Sequence, residues 1–264
     1  MGSSLFDLTG RVAAVSGAAR GMGRAMALAF AEHGADLLLA DLDAEGMGRT
    51  AEQIAGLGRR AACAACDVSD PGQVRDLFAR LDREFGRIDV LGNVAGEGVV
   101  GRPEDLSVDQ LKTTFQNLVV GRFAACQEAG RRMLKAGRGS IINIGSLASV
   151  TALGRGHVAY SMAMGAVAQM TRELSTEWAG RGVRVNAILP AQVVNPGLEQ
   201  RMAADPALKA RWLGAIPRGR MGRPEDIQGV AVWLASDSSS WVTGALIPMD
   251  GGNLAMNAGG TIGT

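Results

Sequence analysis

Residues 12–33 read VAAVSGAARGMGRAMALAFAEH, and this stretch decides the fold. A short apolar run at 12–15 leads into three glycines, Gly17, Gly21 and Gly23, and a helix-forming sequence follows them. Glycines at such a turn let a ligand approach the backbone, and the helix N-terminus offers unpaired N–H donors to a phosphate group. The strand before the glycines and the helix after them favour a nucleotide-binding turn over an ordinary tight turn.

The same alternation of strand and helix continues along the chain. Compact apolar runs predict seven strands, at residues 12–15, 37–40, 61–66, 88–94, 141–144, 183–189 and 245–249. Helical spacing predicts helices at residues 24–33, 44–57, 71–85, 107–135, 157–178 and 224–235. Such alternation implies a doubly wound, mainly parallel sheet with helices on both faces. We therefore predict a single α/β domain of the Rossmann type over residues 1–264.

The composition argues against several classes of function. The 27 basic and 26 acidic residues nearly cancel, and no basic cluster suggests nucleic-acid binding. No apolar stretch is long enough to span a membrane and no secretory signal pattern precedes the first strand, so we expect a cytoplasmic protein. Three cysteines, Cys63, Cys66 and Cys126, imply no disulfide framework. Because the only histidines are His33 and His157, the Cys63–Cys66 pair lacks a second ligand pair, and we expect no metal.

Asp41 follows the predicted second strand, 18 residues after Gly23. A carboxylate at this point can accept hydrogen bonds from both ribose hydroxyls of an adenosine and would repel a 2′-phosphate, which favours NAD(H) over NADP(H). Two alternatives stay open. Arg20 in the glycine turn could instead contact a 2′-phosphate, and Asp41 could be an ordinary cap at the end of a strand.

The segment at about 191–218 interrupts the alternation and has mixed polarity. Insertions near the carboxyl ends of strands often cover the ligand, so we expect this segment to cover the substrate. Its apolar residues suggest an apolar or aromatic ketone or alcohol, although any segment packed on a core would have a similar composition. These residues are Val193, Leu198, Met202, Leu208, Trp212, Leu213 and Ile216.

The chain resembles the short-chain dehydrogenase/reductase family over nearly its whole length, beginning with the spacing of its glycines. Further matching segments are Asp67-Val68, residues 93–96, Asn117, residues 143–146, 184–188 and 220–226, Thr243-Gly244 and residues 250–252. The resemblance implies that the cofactor is held by Gly17, Arg20, Gly21, Met22, Gly23, Asp41, Asp67, Val68, Asn93, Ala95, Gly96, Tyr160, Pro190, Ala191, Val193 and Asn195.

The family's reaction is hydride transfer between a nicotinamide and an alcohol or carbonyl carbon. By resemblance, Ser146 orients the substrate oxygen, Tyr160 exchanges the proton and Asn117 holds a water molecule for proton relay. Tyr160 is the only tyrosine of the chain and lies 14 residues after Ser146, as the family pattern requires. The motif context favours this role over that of an ordinary packing residue.

Position 164 departs from the family pattern, because Met164 stands where the family has lysine. The three lysines of the chain, Lys112, Lys135 and Lys209, all lie outside this helix. Tyrosine has an ordinary pKa of about 10, and a close cation lowers it by about 1–3 units. Losing the cation should therefore impair alcohol oxidation more than carbonyl reduction. Bound oxidised nicotinamide could partly replace the missing charge.

Two further departures lie near the expected nicotinamide. Pro190-Ala191 replaces the family's Pro-Gly, and Asn195 replaces its threonine, although an amide can still donate and accept hydrogen bonds. Arg155 and His157 precede Tyr160 in a predicted loop. They could restore a positive charge or bind an anionic substrate, but surface loop residues are the simpler interpretation.

Three functions fit these residues. The first is an NAD(H)-dependent oxidoreductase that interconverts a secondary alcohol and a ketone. The second is a non-redox or redox-neutral enzyme on the same scaffold, catalysing elimination or bond cleavage. The third is a catalytically silent NAD-binding protein, and Met164 could also be an introduced substitution.

The resemblance further implies a homotetramer in which the helices at 107–135 and 157–178 form an interface, with Ala163, Gly165 and Ala168 permitting close approach.

Overall fold

The computed structural model describes residues 5–256, with only the backbone of Pro206. The ends of the predicted domain, residues 1–4 and 257–264, lie outside the described residues. Seven parallel strands form one sheet in the order β3-β2-β1-β4-β5-β6-β7. Their bounds are β1 Val12–Ser16, β2 Asp36–Asp41, β3 Ala61–Ala65, β4 Val90–Asn93, β5 Gly139–Ile144, β6 Val183–Pro190 and β7 Leu246–Met249. The predicted doubly wound sheet is confirmed.

The helices cover both faces of this sheet. Their bounds are α1 Gly21–Glu32, α2 Ala44–Gly56, α3 Pro71–Phe85, α4 Val108–Phe115, α5 Gly121–Ala136, α6 Val158–Trp178, α7 Pro196–Ala204, α8 Pro206–Leu213 and α9 Gln228–Ala235. A π-helical turn, Gln116–Val120, joins α4 to α5, so the predicted long helix from 107 towards 135 is continuous but not uniform. Short 3₁₀ turns are Leu147–Ser149, Ala179–Arg181, Pro224–Ile227 and Asp237–Ser239.

Local sequence explains where several helices begin and end. Asp70 caps α3 by accepting hydrogen bonds from the N–H groups of Gly72 and Gln73, and Pro71 occupies the first helical position. The predicted capping box before α4 is confirmed, because Ser107 and Gln110 exchange side-chain to backbone hydrogen bonds of 3.2 and 2.9 Å. A cap of this kind is worth about 1 kcal/mol.

Strand β2 shows how the core divides between the two faces. Leu37 and Leu39 pack with Phe30 on one face, whereas Leu38 packs with Phe78 on the other. All five side chains are buried, since the strand is covered on both sides. Burying a side chain of this size contributes about 1.5–3 kcal/mol. The two cores together fix the strand ends that build the site.

The strand order reverses between β1 and β4, and ligands on such sheets bind outside the carboxyl ends of the strands at that point. The carboxyl end of β1 carries Ser16, that of β4 carries Asn93, and that of β6 carries Pro190. β7 is the edge strand predicted from Pro248.

The expectation about small residues on the outer helices needs correction. Ala163 and Ala168 are buried inside the subunit, so they cannot permit close approach of a partner helix. The large exposed apolar side chains on the same helices are instead Val108, Val120, Phe123, Val158 and Met162. In the part of the chain that the structure describes, no helix has the length and apolar character needed to cross a membrane.

Candidate active site and cofactor groove

The glycine turn after β1 has the backbone geometry that a diphosphate needs. Gly17 and Gly21 have positive φ values of 71° and 58°, and a Cβ on Gly23 would lie 2.1 Å from the carbonyl oxygen of Gly17. Arg20 precedes α1 without a side-chain cap, which leaves the first N–H groups of the helix available. A Cβ on Gly21 would meet nothing within 4 Å, so the turn opens outward. The residues therefore fit a dinucleotide.

Ser16 ties this turn to the next segment of the site. Its Oγ accepts hydrogen bonds from the N–H groups of Val94, at 3.0 Å, and Ala95, at 3.2 Å. Gly17 lies directly against Ala95, because a Cβ on Gly17 would be 3.2 Å from its backbone nitrogen. The loops that follow β1 and β4 are thus held as one surface.

Asp41 ends β2 and points back at the glycine turn. Its Oδ2 accepts a hydrogen bond from the N–H of Ala19 at 3.0 Å, and its Oδ1 accepts one from Asp43 at 3.1 Å. The side chain is half-buried, so part of the carboxylate faces the groove. Residues 16–23 with Asp41 are called the glycine-turn end of the groove below. Met22 and Gly23 in the first turn of α1 belong to it.

Asp67 and Val68 continue the groove past β3, which pairs with β2 up to Asp41. The Asp67 side chain accepts a hydrogen bond from the N–H of Ser69 at 2.9 Å, which shapes this turn. A Cβ on Gly121 would lie 2.0 Å from the carbonyl oxygen of Val68. Helix α5 therefore begins in contact with Asp67-Val68 of the predicted cofactor site.

Asn93 is buried below the groove and joins the strands to the helices. Its Nδ2 donates to the carbonyl of Arg122 at 3.1 Å and to Oδ1 of Asn143 at 3.2 Å. Asn143 in turn donates to Thr171 Oγ1 at 3.0 Å. Burial raises the pKa of the neighbouring Cys126 thiol to about 12, so this cysteine stays neutral. The network positions the loop that contains Ala95 and Gly96.

A cavity of about 240 Å³ lies beside Tyr160, and it is called the tyrosine end of the groove below. It brings Ser146, Tyr160 and Met164 together with the opening of the glycine turn. The lining residues are Gly21, Met22, Val94, Gly96, Leu118, Arg122, Ile144, Gly145, Ser146, Tyr160, Met164, Pro190, Ala191, Val193, Val194 and Asn195. Ten of the predicted site residues therefore share one cavity.

A larger cavity, of about 480 Å³, lies at the opposite edge of the sheet. Its lining includes Asp89, whose carboxylate accepts a hydrogen bond from the N–H of Val12 at the start of β1. Since ligands of parallel sheets bind at the carboxyl ends of the strands, we assign the site to the smaller cavity.

Ser146 and Tyr160 are positioned by two separate elements. Ser146 follows β5 and is buried, and its Oγ accepts a hydrogen bond from the N–H of Ala148 at 3.2 Å. Its hydroxyl hydrogen remains available to a ligand. Tyr160 lies in the first turn of α6, with its ring edge-on to His157 at 6.0 Å between centroids. The two hydroxyl-bearing side chains open onto the same cavity.

Met164 lies one helical turn after Tyr160 and is fully buried. It packs in an apolar cluster with Leu118, Ala163 and Val167. The thioether fills this space without charge, so position 164 provides no cation to the cavity.

Arg122 is the residue that the sequence reasoning missed. It is buried in α5 and lines the cavity, where Nη1 donates to the carbonyl of Leu118 at 2.9 Å and Nη2 to that of Val94 at 3.3 Å. Its Nε is buried without a partner. Burial lowers the pKa of Arg122 to about 10, and Tyr160 opposes this change. One feature of the sequence could have identified Arg122, because a charged residue lies there among apolar residues at helical spacing. The buried residues of this stripe are Leu118, Arg122, Ala125, Cys126, Ala129 and Met133.

Asn117 is not brought to the cavity. It lies half-buried in the π-helical turn, and its neighbour Leu118 lines the cavity instead. The other predicted residues outside the cavity form the glycine-turn end and its floor: Gly17, Arg20, Gly23, Asp41, Asp67, Val68, Asn93 and Ala95.

The segment after β6 closes the cavity from the other side. Val193 forms a parallel bridge with Gly222, and Ala191 donates a hydrogen bond to Met249 at 3.1 Å. Asn195 caps α7, because its Oδ1 accepts from the N–H of Leu198 at 3.0 Å while its Nδ2 donates to Val193 at 3.1 Å. Both ends of this amide already have partners.

The segment at 191–218 contains helices α7 and α8. Trp212 and Ile216 are buried, and the guanidinium groups of Arg155 and Arg201 lie 5.9 and 5.6 Å from the centroid of the Trp212 ring. These apolar side chains pack on the body of the protein, so their presence says little about the polarity of a substrate.

Among residues 5–256, no cluster of histidine, cysteine and carboxylate side chains could hold a metal ion.

Comparisons with known proteins find relatives that share this sequence pattern and this fold. The family model described as enoyl-(acyl carrier protein) reductase matches residues 17–253. D-threitol dehydrogenase of Mycolicibacterium smegmatis is 41% identical over 250 residues, covering 94% of both chains. NAD-dependent glycerol dehydrogenase of Listeria innocua is 35% identical over 247 residues, covering 94% of this chain and 95% of its own.

A solved structure from Beutenbergia cavernae, assigned as an NAD(P)-dependent gluconate 5-dehydrogenase with bound NADP at low occupancy, is 36% identical to this chain. It has a TM-score of 0.89 and covers 96% of this chain and 100% of its own. The matches extend over the glycine turn, the serine and tyrosine segments and the last strand. The chain therefore belongs to the short-chain dehydrogenase/reductase family of oxidoreductases.

Proposed function

We propose that this protein is an NAD(H)-dependent oxidoreductase that interconverts a secondary alcohol and a ketone. The observation that carries the proposal is that Ser146 and Tyr160 open onto the cavity that also contains the outward side of the glycine turn. A reacting oxygen placed there can meet a hydrogen-bond donor and a proton-exchanging phenol together.

The roles of the residues follow from their surroundings. A bound nicotinamide supplies or accepts the hydride. Ser146 donates its free hydroxyl hydrogen to the substrate oxygen, and Tyr160 gives a proton to that oxygen during reduction or takes it during oxidation. Ile144, Met164 and Val193 give part of the cavity wall an apolar surface.

The preference for NAD(H) over NADP(H) is proposed from Asp41. Its carboxylate accepts hydrogen bonds from the N–H of Ala19 in the glycine turn and from that of Asp43, and it would repel a 2′-phosphate at that place. Arg20, which is exposed in the same turn, is the feature that could favour the phosphate. One relative is named as NAD-dependent and another was solved with NADP, so a direct measurement has to decide.

The substrate is proposed to be a small secondary alcohol or polyol, covered by the segment at 191–218 of one domain spanning 1–264. The names of the threitol and glycerol dehydrogenases support the polyol class. The apolar or aromatic substrate suggested by the sequence stays a prediction, and a substrate panel should include both classes.

The homotetramer and the cytoplasmic location also stay predictions. Exposed Phe123 and Met162 on the expected interface helices support the former.

Met164 supports a second candidate function. An uncharged side chain at the motif position weakens the case for alcohol oxidation, and a redox-neutral enzyme or a silent NAD-binding protein would need no cation there. Product formation without change in nicotinamide absorbance would identify the redox-neutral enzyme.

The test is a titration of the purified protein with NADH and with NADPH, followed by nicotinamide fluorescence. Turnover is then measured with NAD⁺ over linear polyols, sugar acids and aromatic secondary alcohols. We expect NADH to bind at least about tenfold more tightly than NADPH, a difference of about 1.4 kcal/mol. Binding of NADH without turnover of any compound would leave the silent NAD-binding protein as the better description.

A further inference from the structure

Arg122 is a buried cation that the proposed reaction does not yet use. It makes two hydrogen bonds, both to backbone carbonyls, and within residues 5–256 no carboxylate pairs with it. Leaving a buried charge without an opposite charge usually costs several kcal/mol. Arg184, which is half-buried, lies near Asp237 and donates to three backbone carbonyls away from this cavity. A cost of this kind at the wall of the active site calls for a functional explanation.

We propose that Arg122, reaching from α5, provides beside Tyr160 the positive charge that the family motif places at position 164. Arg122 would thus be a positioning residue that favours the phenolate form of Tyr160. The kinetic part of this inference rests on the proposed oxidoreductase function, whereas the charge assignment itself does not.

The geometry supports a fixed guanidinium. Leu118 O and Val94 O hold its two terminal nitrogens from the π-helical turn and from the loop after β4. A Cβ on Gly96 would lie 3.4 Å from Nη1, so a glycine at this position leaves room for the group. Arg122, Tyr160 and Met164 all line the same cavity. The side chain is therefore held at the cavity wall rather than free to leave it.

The electrostatic surroundings leave Tyr160 as the main partner. The titratable side chains that interact with Arg122 are Tyr160 from α6 and Cys126 one turn further along α5. Burial raises the pKa of Cys126 to about 12, so the thiol carries no negative charge near neutral pH. Glu97, on the loop after β4, is exposed, and His157 meets the edge of the Tyr160 ring. With a pKa of about 10, Arg122 carries a positive charge near neutral pH.

The sequence offers a direct readout, because Tyr160 is the only tyrosine. Ionised tyrosine absorbs in the near ultraviolet where neutral tyrosine does not, so a pH titration of the protein without cofactor or substrate reports this side chain alone. Tyr160→Phe should abolish the signal and assign it.

Two substitutions separate charge from shape. Arg122→Gln keeps N–H donors and removes the charge, and we expect the tyrosinate signal to move to higher pH by about 1–3 units. Arg122→Lys keeps the charge and should titrate close to the unsubstituted protein. Arg132→Gln removes a cation that pairs with Asp82 and Glu128 elsewhere on α5, and it should leave the titration unchanged. Arg122→Met replaces the glutamine variant if thermal unfolding shows that the latter does not fold.

Moving the charge across the cavity completes the test. The double variant Arg122→Gln with Met164→Lys should recover the titration of the unsubstituted protein and, with an active substrate, most of its rate of alcohol oxidation near neutral pH. An unchanged titration in the neutral variants would overturn the assignment of Arg122, whatever the enzyme activity. A shifted titration in a protein that binds no nicotinamide would instead uphold the charge assignment and reject the proposed function.

Discussion

At the glycine-turn end of the groove the contacts lie within residues 16–50 of the sequence, apart from those to the loop after β4. At the tyrosine end, the cavity is assembled from α1, the loop after β4, α5, β5, α6 and the segment after β6. The glycine-turn end is suited to bind a ligand through backbone N–H groups and through the space that glycines leave open. The tyrosine end depends on side chains from several elements, and these meet only when the whole sheet is folded.

This difference separates the effects that substitutions should have. A change in the glycine turn acts on the shape of the backbone, so it should reduce binding of the dinucleotide. A change around Tyr160 acts on charge and proton transfer, so it should reduce the reaction rate while leaving binding nearly intact. The following predictions test whether the two ends are independent in this sense.

The largest effect is expected at the tyrosine end, for Tyr160→Phe. Removing the hydroxyl removes proton exchange with the substrate oxygen, and kcat should fall by about 10²–10⁴-fold. The Kd for NADH, measured by nicotinamide fluorescence, should change much less. Ser161→Ala, on the next position of α6, is the control and should retain activity. A Tyr160→Phe variant with full activity would contradict the assigned role.

The next largest effect is expected at the glycine-turn end, for Gly23→Ala. The added Cβ would lie 2.1 Å from the carbonyl oxygen of Gly17, so the turn must move. We expect the NADH affinity to fall by at least about tenfold, which equals a loss of about 1.4 kcal/mol. The melting temperature should fall as well.

Gly48→Ala is the matched control for that change. Gly48 lies inside α2, and a Cβ there would meet nothing within 4 Å. Alanine favours a helix interior by about 0.8–1 kcal/mol relative to glycine, so this variant should be slightly more stable and bind NADH unchanged. Equal losses in both variants would show that the turn has no special role.

A smaller effect, on selectivity rather than total affinity, is expected for Asp41→Asn. The amide keeps the size of the side chain and removes the charge that would repel a 2′-phosphate. The ratio of NADPH to NADH affinity should rise by about 10-fold or more, as expected for a charged hydrogen bond of about 1.5–3 kcal/mol. Asp43→Asn is the control, since Asp43 caps α2 through the N–H of Gly46 at 2.8 Å. It should not change the ratio.

The contrast between the two ends of the groove also explains which features could be predicted from the sequence. The sheet, its seven strands and the glycine turn could be predicted because hydrophobic period and glycine spacing are local properties. Arg122 could not be placed, because its position on a buried stripe indicates burial but not the cavity that it borders. Asp41 was a local inference from its place after β2, and its carboxylate lies against the glycine turn.

The π-helical turn accounts for a further difference. A π turn takes in an extra residue and so rotates the side chains that follow it around the helix. In the turn Gln116–Val120, Leu118 faces the cavity and Asn117 does not, although the sequence resemblance selected Asn117. The inward direction of Ala163 and Ala168 likewise follows from how α6 packs on the sheet, which small size alone does not determine.

The smallest effect concerns an ion pair that supports the tyrosine end from a distance. Asp226 accepts hydrogen bonds from Arg220 at 2.6 and 2.8 Å and from the N–H of Arg223 at 2.7 Å. These residues flank Gly222, which forms the parallel bridge with Val193 beside the cavity. The hydrogen bonds from Arg220, ahead of the other contributions, lower the pKa of the Asp226 carboxyl from 3.8 to about 2.

Because the pKa of Asp226 is lower in the folded protein, its stabilising contribution is present above about pH 4 and is lost as the pH falls towards 2. The side chain is 32% exposed, so solvent screening reduces that contribution to about 1 kcal/mol or less. Asp226→Asn should therefore lower the free energy of unfolding near pH 7 and differ progressively less from the unsubstituted protein below pH 4, as measured by urea unfolding across this range.

Asp205→Asn supplies the comparison, since Asp205 pairs with Arg211 on the exposed surface of α8 and does not support the contact with Val193. It should leave both the stability and the NADH affinity close to those of the unsubstituted protein. If Asp226→Asn reduced NADH affinity as strongly as Gly23→Ala, support of the cavity from a distance would matter as much as the glycine turn itself. The two ends of the groove would then have to be treated as one coupled unit.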